Sequence, residues 1–228
     1  MGVGQGQHKR ESEGTMGRFA SIAFTPRVKA EQERMGSRRT YARADGGEAP
    51  DVLGDSEKEF LAARDSFYMA SVGASGWPYV QHRGGTKGFV KVLDPHTIGF
   101  ADYRGNKQYI SLGNVGGDDR VALIFVDYPN RARLKVLARA SVVTAASAPD
   151  VFAALTAGAA QNRARIERAF VLRVEGFDWN CPQYITPRFT EDEVIESVAP
   201  LLAKLEAAEA ENRELRASLA PVKTAGDD

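Results

Sequence analysis

The sequence predicts a mainly β protein: a small closed or partly closed antiparallel barrel of six or seven strands, with flanking helices. Three observations carry this. Short runs rich in β-branched and aromatic residues recur from residue 66 onward, as in "SFYMASVGA", "WPYVQHR", "GFVKVLD" and "TIGFAD". Turn residues separate them at hairpin spacing: Ser75-Gly76, Gly84-Gly85, Asp94-Pro95 and Pro129-Asn130. Apolar residues alternate in Val121, Leu123, Phe125 and in Leu134, Val136, the two-residue period of a strand, within runs apolar enough to be buried on both faces.

Taken in order, residues 1–17 are Gly-rich and polar without periodicity, the pattern of a disordered tail. Residues 18–54 read as an extension of helix and loop. Pro26 suits the first turn of a helix, and Gly36 stops it before a basic turn at 37–43. Ser56 and Glu59 have capping-box spacing and open a helix to about Arg64. The barrel domain is assigned to 55–189. It contains the four strands quoted above, a short helix near 105–117, the strands "DRVALIFVDY" and "RARLKVLARASVVTA", a helix over 148–168 with a break at Gly158, and a last strand, "AFVLRVEGF". Residues 190–228 form a separate helix. There Val198, Leu201, Leu205, Ala208, Asn212, Leu215 and Leu219 repeat at spacings of 3 and 4, an a/d heptad seam with Asn212 at an a position. Such a helix either associates with another copy or lies on its own domain.

Composition narrows the function. The chain has 228 residues and a formal net charge of zero, which argues against a general nucleic-acid binder. The competing reading makes the basic segment "PRVKAEQERMGSRR" a nucleic-acid surface. No run reaches the roughly 20 apolar residues of a membrane span. The first twenty residues lack an apolar signal core, and the single cysteine, Cys181, fits a reducing compartment, so a cytoplasmic location is expected. Cys181 has a prolyl neighbour and no basic activator, which favours packing over nucleophilic chemistry. His8, His82 and His96 are scattered without ligand spacing, so no protein-bound metal is expected.

Four places hold residues with chemical potential. Arg104, Gly105, Asn106 and Lys107 gather positive charge where a helix should begin. Cations are disfavoured there by the helix dipole, so either both side chains point into water or an anion sits among them. Gln81, His82 and Arg83 end a strand just before Gly84 and Gly85, which make either a hairpin turn or a close approach for a flat ligand. Arg133 and Lys135 alternate on one strand face, either solvated or reaching a ligand. Trp179, with Pro182 and Tyr184, either plugs the barrel end or covers a ligand.

The order of these pieces resembles the FMN-binding split barrels, the pyridoxamine 5′-phosphate oxidase-like proteins, over about residues 57–180. Gly76-Trp77-Pro78 leads into the strand ending at Gln81, His82 and Arg83. Phe100, Ala101 and Asp102 match a strand exit beneath the flavin. Lys107 lies seven residues before Asn114, as does the family's phosphate-binding lysine before its asparagine, and Arg133 matches a position that reaches the flavin from a partner subunit. The resemblance implies a split barrel, FMN as cofactor, a homodimer with the flavin at its interface, and oxidoreductase activity on a small or flat substrate. It implies phosphate binding by Lys107 with Asn106 and Arg104, flavin-edge contacts from Gln81, His82 and Arg83, further contacts from Phe100, Ala101, Asp102, Arg133 and Lys135, and Trp179 at the open face. His82 is the one candidate for a proton-handling group, histidine being the side chain that changes charge near neutrality. The alternatives are a non-catalytic flavin or haem carrier or sensor, and a deazaflavin-dependent reductase. Gln81 stands where the oxidases carry arginine, and "WNCPQYITPRF" replaces their Arg-x-His substrate motif. These departures argue against pyridoxamine phosphate as substrate and resemble a separate subgroup of flavin-binding relatives.

Overall fold

A computed structural model describes residues 17–42, 46–159, 165–179 and 182–219. Residues 1–16 and Cys181 lie outside the described residues, so the expectations made for them are not addressed. The chain forms two compact units, one of residues up to Asp127 with Arg131–Ile185, the other of Tyr128–Asn130 with Thr186 onward.

The first unit is built on seven antiparallel strands: β1 (Ser66–Val72), β2 (Pro78–Gly84), β3 (Val90–Asp94), β4 (Thr97–Tyr103), β5 (Arg120–Asp127), β6 (Ala132–Val143) and β7 (Ile166–Trp179). They form one sheet in the order β2-β1-β5-β6-β7-β4-β3, with β2 and β3 as its edges. The sheet is strongly curled. Phe67 of β1 and Phe100 of β4 are four strand spacings apart, about 19 Å in a flat sheet, yet their rings meet at 5.1 Å between centroids. The apolar sides of the strands therefore face one another. Phe67, Met69, Phe100, Phe125, Leu134, Val136, Phe170 and Leu172 fill the interior, each essentially inaccessible to water.

The alternation in β5 and β6 buries one face only. Val121, Leu123 and Phe125 point inward, whereas Ala122 is exposed and Ile124 and Val126 are half-buried. The expected burial on both faces does not occur: among the described residues the outer side chains of β5 stay at least partly exposed.

Helices close the periphery. α1 (Arg18–Ala23) packs on β7, where a Cβ at Gly176 would run into the Phe19 backbone. Asp51 ties this contact, accepting from the Arg18 N–H at 2.8 Å and the Phe177 N–H at 2.9 Å. α2 (Pro26–Arg34) starts on a Thr25 cap and ends before Gly36, whose φ is 74°; α3 (Arg38–Tyr41) follows.

α4 (Asp55–Ala62) begins at a Gly54 N-cap, not at Ser56. Glu57 replaces Glu59 as the reciprocating acid. One of its oxygens accepts from the Gly54 N–H at 2.9 Å, the other from Trp179 Nε1 at 2.7 Å. The half-buried indole recruits the nearer carboxylate and so shifts the cap by two residues. Arg64, just beyond α4, pairs with Asp127 at 2.7 Å, both largely buried.

α5 is Ile110–Gly117 and α6 is Pro149–Thr156. The helix expected over 148–168 therefore ends early: Gly158 takes a φ of 77°, and β7 has begun by Ile166. α6 lies on the outside of β4, where a Cβ at Gly99 would meet Leu155.

The second unit contains α7 (Glu191–Leu219). A reciprocal cap starts it: Thr190 N–H donates to Glu193 Oε2 at 2.8 Å, and Glu193 N–H to Thr190 Oγ1 at 3.2 Å. Among the described residues no helix is long and apolar enough to cross a membrane.

Candidate functional site

The two-residue period of β2 separates the residues that looked clustered in sequence. Gln81 and Arg83 point toward the barrel interior, while His82 faces out, exposed and edge-on to Tyr68 at 5.4 Å. Arg83 crosses the seam between the sheet edges. Five strand spacings separate β2 from β4 along the sheet, yet Arg83 Nη1 donates to Asp102 Oδ1 at 2.7 Å, with both side chains some 86% buried or more. Its guanidinium also lies over Phe170 at 5.3 Å and Phe100 at 5.7 Å.

Asp102 is registered opposite Arg168 of β7, whose Nε lies 3.9 Å from its second oxygen. Arg168 in turn pairs with Glu167 at 2.6 Å, and Glu167 lies 3.8 Å from Arg104. Positive and negative groups thus alternate from Arg83 through Asp102, Arg168 and Glu167 to Arg104, from the barrel mouth to the turn after β4. Burial raises the Asp102 carboxyl above its ordinary range, and the two arginines pull it back only in part. Arg83 Nε and Arg168 Nη1 are buried without a hydrogen-bond partner.

The same network holds the turn. Tyr109 donates its hydroxyl to Glu167 at 3.3 Å, and the Arg168 guanidinium stacks 5.0 Å over the Tyr109 ring. The Arg104 N–H bonds to the Arg165 carbonyl at 2.8 Å. Within the turn, Asn106 Oδ1 accepts from the Gln108 N–H at 3.2 Å. Lys107 and Tyr109 both take positive φ, 61° and 53°. For residues with a Cβ this left-handed conformation costs roughly 1–2 kcal/mol each, so the surrounding contacts enforce it.

The helix does not begin at Gly105, as the sequence implied, but at Ile110. The two left-handed residues delay it. Its N-cap, Tyr109, gives no side-chain cap to the first turn. Arg104, Gly105, Asn106 and Lys107 are all exposed, and among the described residues Lys107 has no ion pair or hydrogen bond. A Cβ at Gly105 would meet nothing within 4 Å. An uncapped helix start, an unneutralised ammonium and open space suit a compact dianion.

α5 is fixed beside this turn by polar contacts. Ser111 Oγ donates to Gln81 Oε1 at 2.8 Å, and Asn114 Nδ2 to Ser71 Oγ at 3.0 Å. The structure thus brings Gln81, Arg83, Asp102, Arg104, Asn106 and Lys107 to one end of the sheet, with Phe100 beneath and Ala101 buried on the opposite face of β4. It does not bring the other predicted residues there. Arg133 and Lys135 face outward on β6, opposite Val126 and Ile124. Lys135 pairs with Asp178 at 2.8 Å and lies over Phe19, and Arg133 Nε is buried without a partner. Trp179, at the far end of β7, packs edge-on to Phe60 at 4.7 Å and donates to Glu57.

Arg168, Glu167, Tyr109 and Ser111 were not singled out from sequence. Arg168 carried a readable signal: Ile166, Arg168, Phe170, Leu172 and Val174 share the two-residue phase of the core. Extending the preceding helix over residues 160–168 hid it.

A curled antiparallel sheet with an open seam and a polar turn at one end defines a split-barrel protein with a candidate anion site. Residues 53–178, more than half of the chain, match the family described as pyridoxamine 5′-phosphate oxidase, and the chain belongs to that family. Its fold is similar to that of an FMN-binding protein from Syntrophomonas wolfei, at 12% identity over 68% of this chain and 95% of that one, with a TM-score of 0.43. It is also similar to HupZ of Group A Streptococcus, at 14% identity over 60% and 100% of the two chains, TM-score 0.45. A third similar structure is a protein from Clostridium acetobutylicum related to general stress protein 26 of B. subtilis, of the pyridoxinephosphate oxidase family, at 13% identity over 61% and 94%, TM-score 0.39. No curated protein matches the chain at a significant level.

Proposed function

We propose that the chain is an FMN-dependent oxidoreductase acting on a small or flat substrate, working as a homodimer with the flavin at the subunit interface. The observation that carries this reading is the turn after β4, where a lysine with no counter-charge among the described residues is held at positive φ ahead of an uncapped helix in a chain of this family. Lys107 and Arg104 supply the charge for the FMN phosphate, and the Asn106 amide, whose oxygen is used within the turn, keeps its N–H groups for it. Gln81 meets the flavin's pyrimidine edge. The Ser111 hydroxyl holds its oxygen and so directs its amide hydrogens outward. Arg83 and Asp102 act through position, fixing the strand ends that carry Gln81 and the turn.

When bound, FMN supplies the hydride chemistry; the chain supplies orientation and electrostatics. Tyr68, Val72 and Val80 make an exposed apolar patch on the outer face of β1 and β2, beside His82. A second copy covering this face brings Arg133 and Lys135 of one subunit toward the flavin of the other, and places His82 where it can exchange a proton with substrate. Trp179 has no ligand role in this scheme, its indole N–H being committed to Glu57.

The test is the visible spectrum of the purified full chain, with the cofactor released by heat and identified by mass, followed by anaerobic reduction with NADH or NADPH. A flavin spectrum, the mass of FMN and turnover on an acceptor are expected. A deazaflavin mass or a haem spectrum would replace the cofactor, FMN without reduction would make the protein a carrier or sensor, and a colourless protein that does not take up added FMN would overturn the proposal.

A further inference from the structure

α7 is a 29-residue helix, about 44 Å long. Leu201, Leu205 and Leu215 are more than half exposed, at 64%, 55% and 54%, and Val194 and Val198 are also exposed. All five fall on the a and d positions of one heptad frame: Val198, Leu205 and Asn212 at a; Val194, Leu201, Ala208 and Leu215 at d. Ile195 and Leu202, at e, are exposed too, so the apolar stripe is wider at the start of α7; from Leu205 onward it narrows to a and d with charged residues beside it, the pattern that fits a partner helix.

The flanking charges fit a second copy of the same helix. In this frame Lys204 and Glu211 occupy g, and Glu209 and Arg216 occupy e. When two copies lie parallel and in register, each g residue faces the e residue five positions on in the other helix. Lys204 then meets Glu209 and Glu211 meets Arg216, so both contacts are attractive. An antiparallel pair sets g against g, where Lys204 meets Glu211, so the charges fit either direction and do not choose between them.

Asn212 chooses the direction. Only in a parallel, in-register pair does an a residue face its own copy, and an asparagine there fixes register and strand number. In the single chain its Nδ2 donates back to the Ala208 carbonyl at 3.2 Å, which leaves Oδ1 able to accept from the other copy. Pro200 breaks one helical hydrogen bond, but it occupies a c position, away from the seam.

We infer that α7 forms a parallel, in-register two-stranded coiled coil with α7 of a second copy of this chain, held by the Val194-to-Leu215 seam and specified by Asn212. This pairing does not depend on the flavin reading.

Site-directed cross-linking of the full chain tests it, in a Cys181→Ser background so that the introduced thiol is the only one. Leu215→Cys, at d, faces its own copy; Ala217→Cys, at f, points away. Mild oxidation is expected to convert most of the Leu215→Cys protein to a covalent dimer and to leave the Ala217→Cys protein uncross-linked. Adding Lys204→Glu to the first variant should lower the dimer yield, and adding Glu209→Lys as well should restore it. No dimer from Leu215→Cys, equal yields at 215 and 217, or a yield indifferent to the charge swaps would overturn the inference, whether α7 folds back on its own chain, pairs antiparallel or binds another protein.

Discussion

The two ends of α5 both carry charge of the wrong sign for the helix dipole. Arg104 and Lys107 precede its positive N-terminus, and Asp118 and Asp119 follow its negative C-terminus. Each arrangement costs roughly 0.3–1 kcal/mol at an exposed helix end. At the C-terminal end the chain answers the charge itself. Asp118 pairs with Arg120 at 2.6 Å, Asp119 with Arg139 at 2.8 Å, and Arg139 also with Glu175 at 3.2 Å. A hollow of about 560 Å³ lies there, yet its wall is internally neutralised and calls for no ligand. Among the described residues at the N-terminal end only Arg104 has a counter-charge, 3.8 Å away, and Lys107 is strained and without an ion pair. A charge cluster marks a site when the chain leaves it unanswered, and cavity size does not decide the matter.

The largest expected effect comes from cutting the network that joins the N-terminal end to the barrel. Asp102→Ala strands the mostly buried Arg83 guanidinium, while Arg168 keeps Glu167, and should cost about 3 kcal/mol of stability, read by urea denaturation. Next is Lys107→Ala, which should weaken FMN binding by about 2 kcal/mol, some 30-fold, in a fluorescence titration. Arg120→Ala, the cation removed from the opposite end of α5, should leave that affinity unchanged. An equal loss from both variants would erase the distinction between the two ends.

A smaller effect separates strain from packing. Lys107→Gly relieves the left-handed backbone and should raise stability by about 1 kcal/mol while still losing FMN affinity. Loss of both would mean that the lysine holds the turn together instead of serving a ligand.

The smallest effect is in acid. The Asp118 carboxyl is drawn down to about 2 by its hydrogen bonds to Arg120, so its contribution is present above the ordinary value of 3.8 and is lost as pH falls toward 2. Asp102 has the opposite sign. Burial raises its folded-state value, so the folded protein holds the proton more tightly, and stability falls as pH rises through the interval above 3.8. Carboxyl NMR titration should find the Asp118 midpoint below that value and the Asp102 midpoint above it.

Much of the fold was legible because strands announce themselves locally. Val121, Leu123 and Phe125 show their phase, and Gly84-Gly85 and Asp94-Pro95 mark their ends. What local pattern could not give was the curl that sets Arg83 beside Asp102 across five strand spacings. Nor could it show that the same alternation turns His82 away from Gln81 and Arg83. The helix start was misplaced because Lys107 and Tyr109 take left-handed φ, and Tyr109 is held by Glu167 and Arg168, more than fifty residues further along the chain. The cap of α4 moved for a related reason: Glu57 answers an indole from the end of β7. Asn106 and Lys107 stood out in the sequence because their neighbours made the charge conspicuous; Arg168 did not, because a helical reading of 148–168 concealed its strand phase.

The central claim is that the cations ahead of α5 take up a phosphate, and the most direct measurement compares FMN with riboflavin, which lacks that group, by fluorescence titration of the full chain and of Lys107→Ala. FMN should bind the parent at least about tenfold more tightly than riboflavin, a difference of about 1.4 kcal/mol, and the variant should bind the two flavins nearly alike. Equal affinities in the parent, or a preference for FMN that survives the loss of Lys107, would contradict the account.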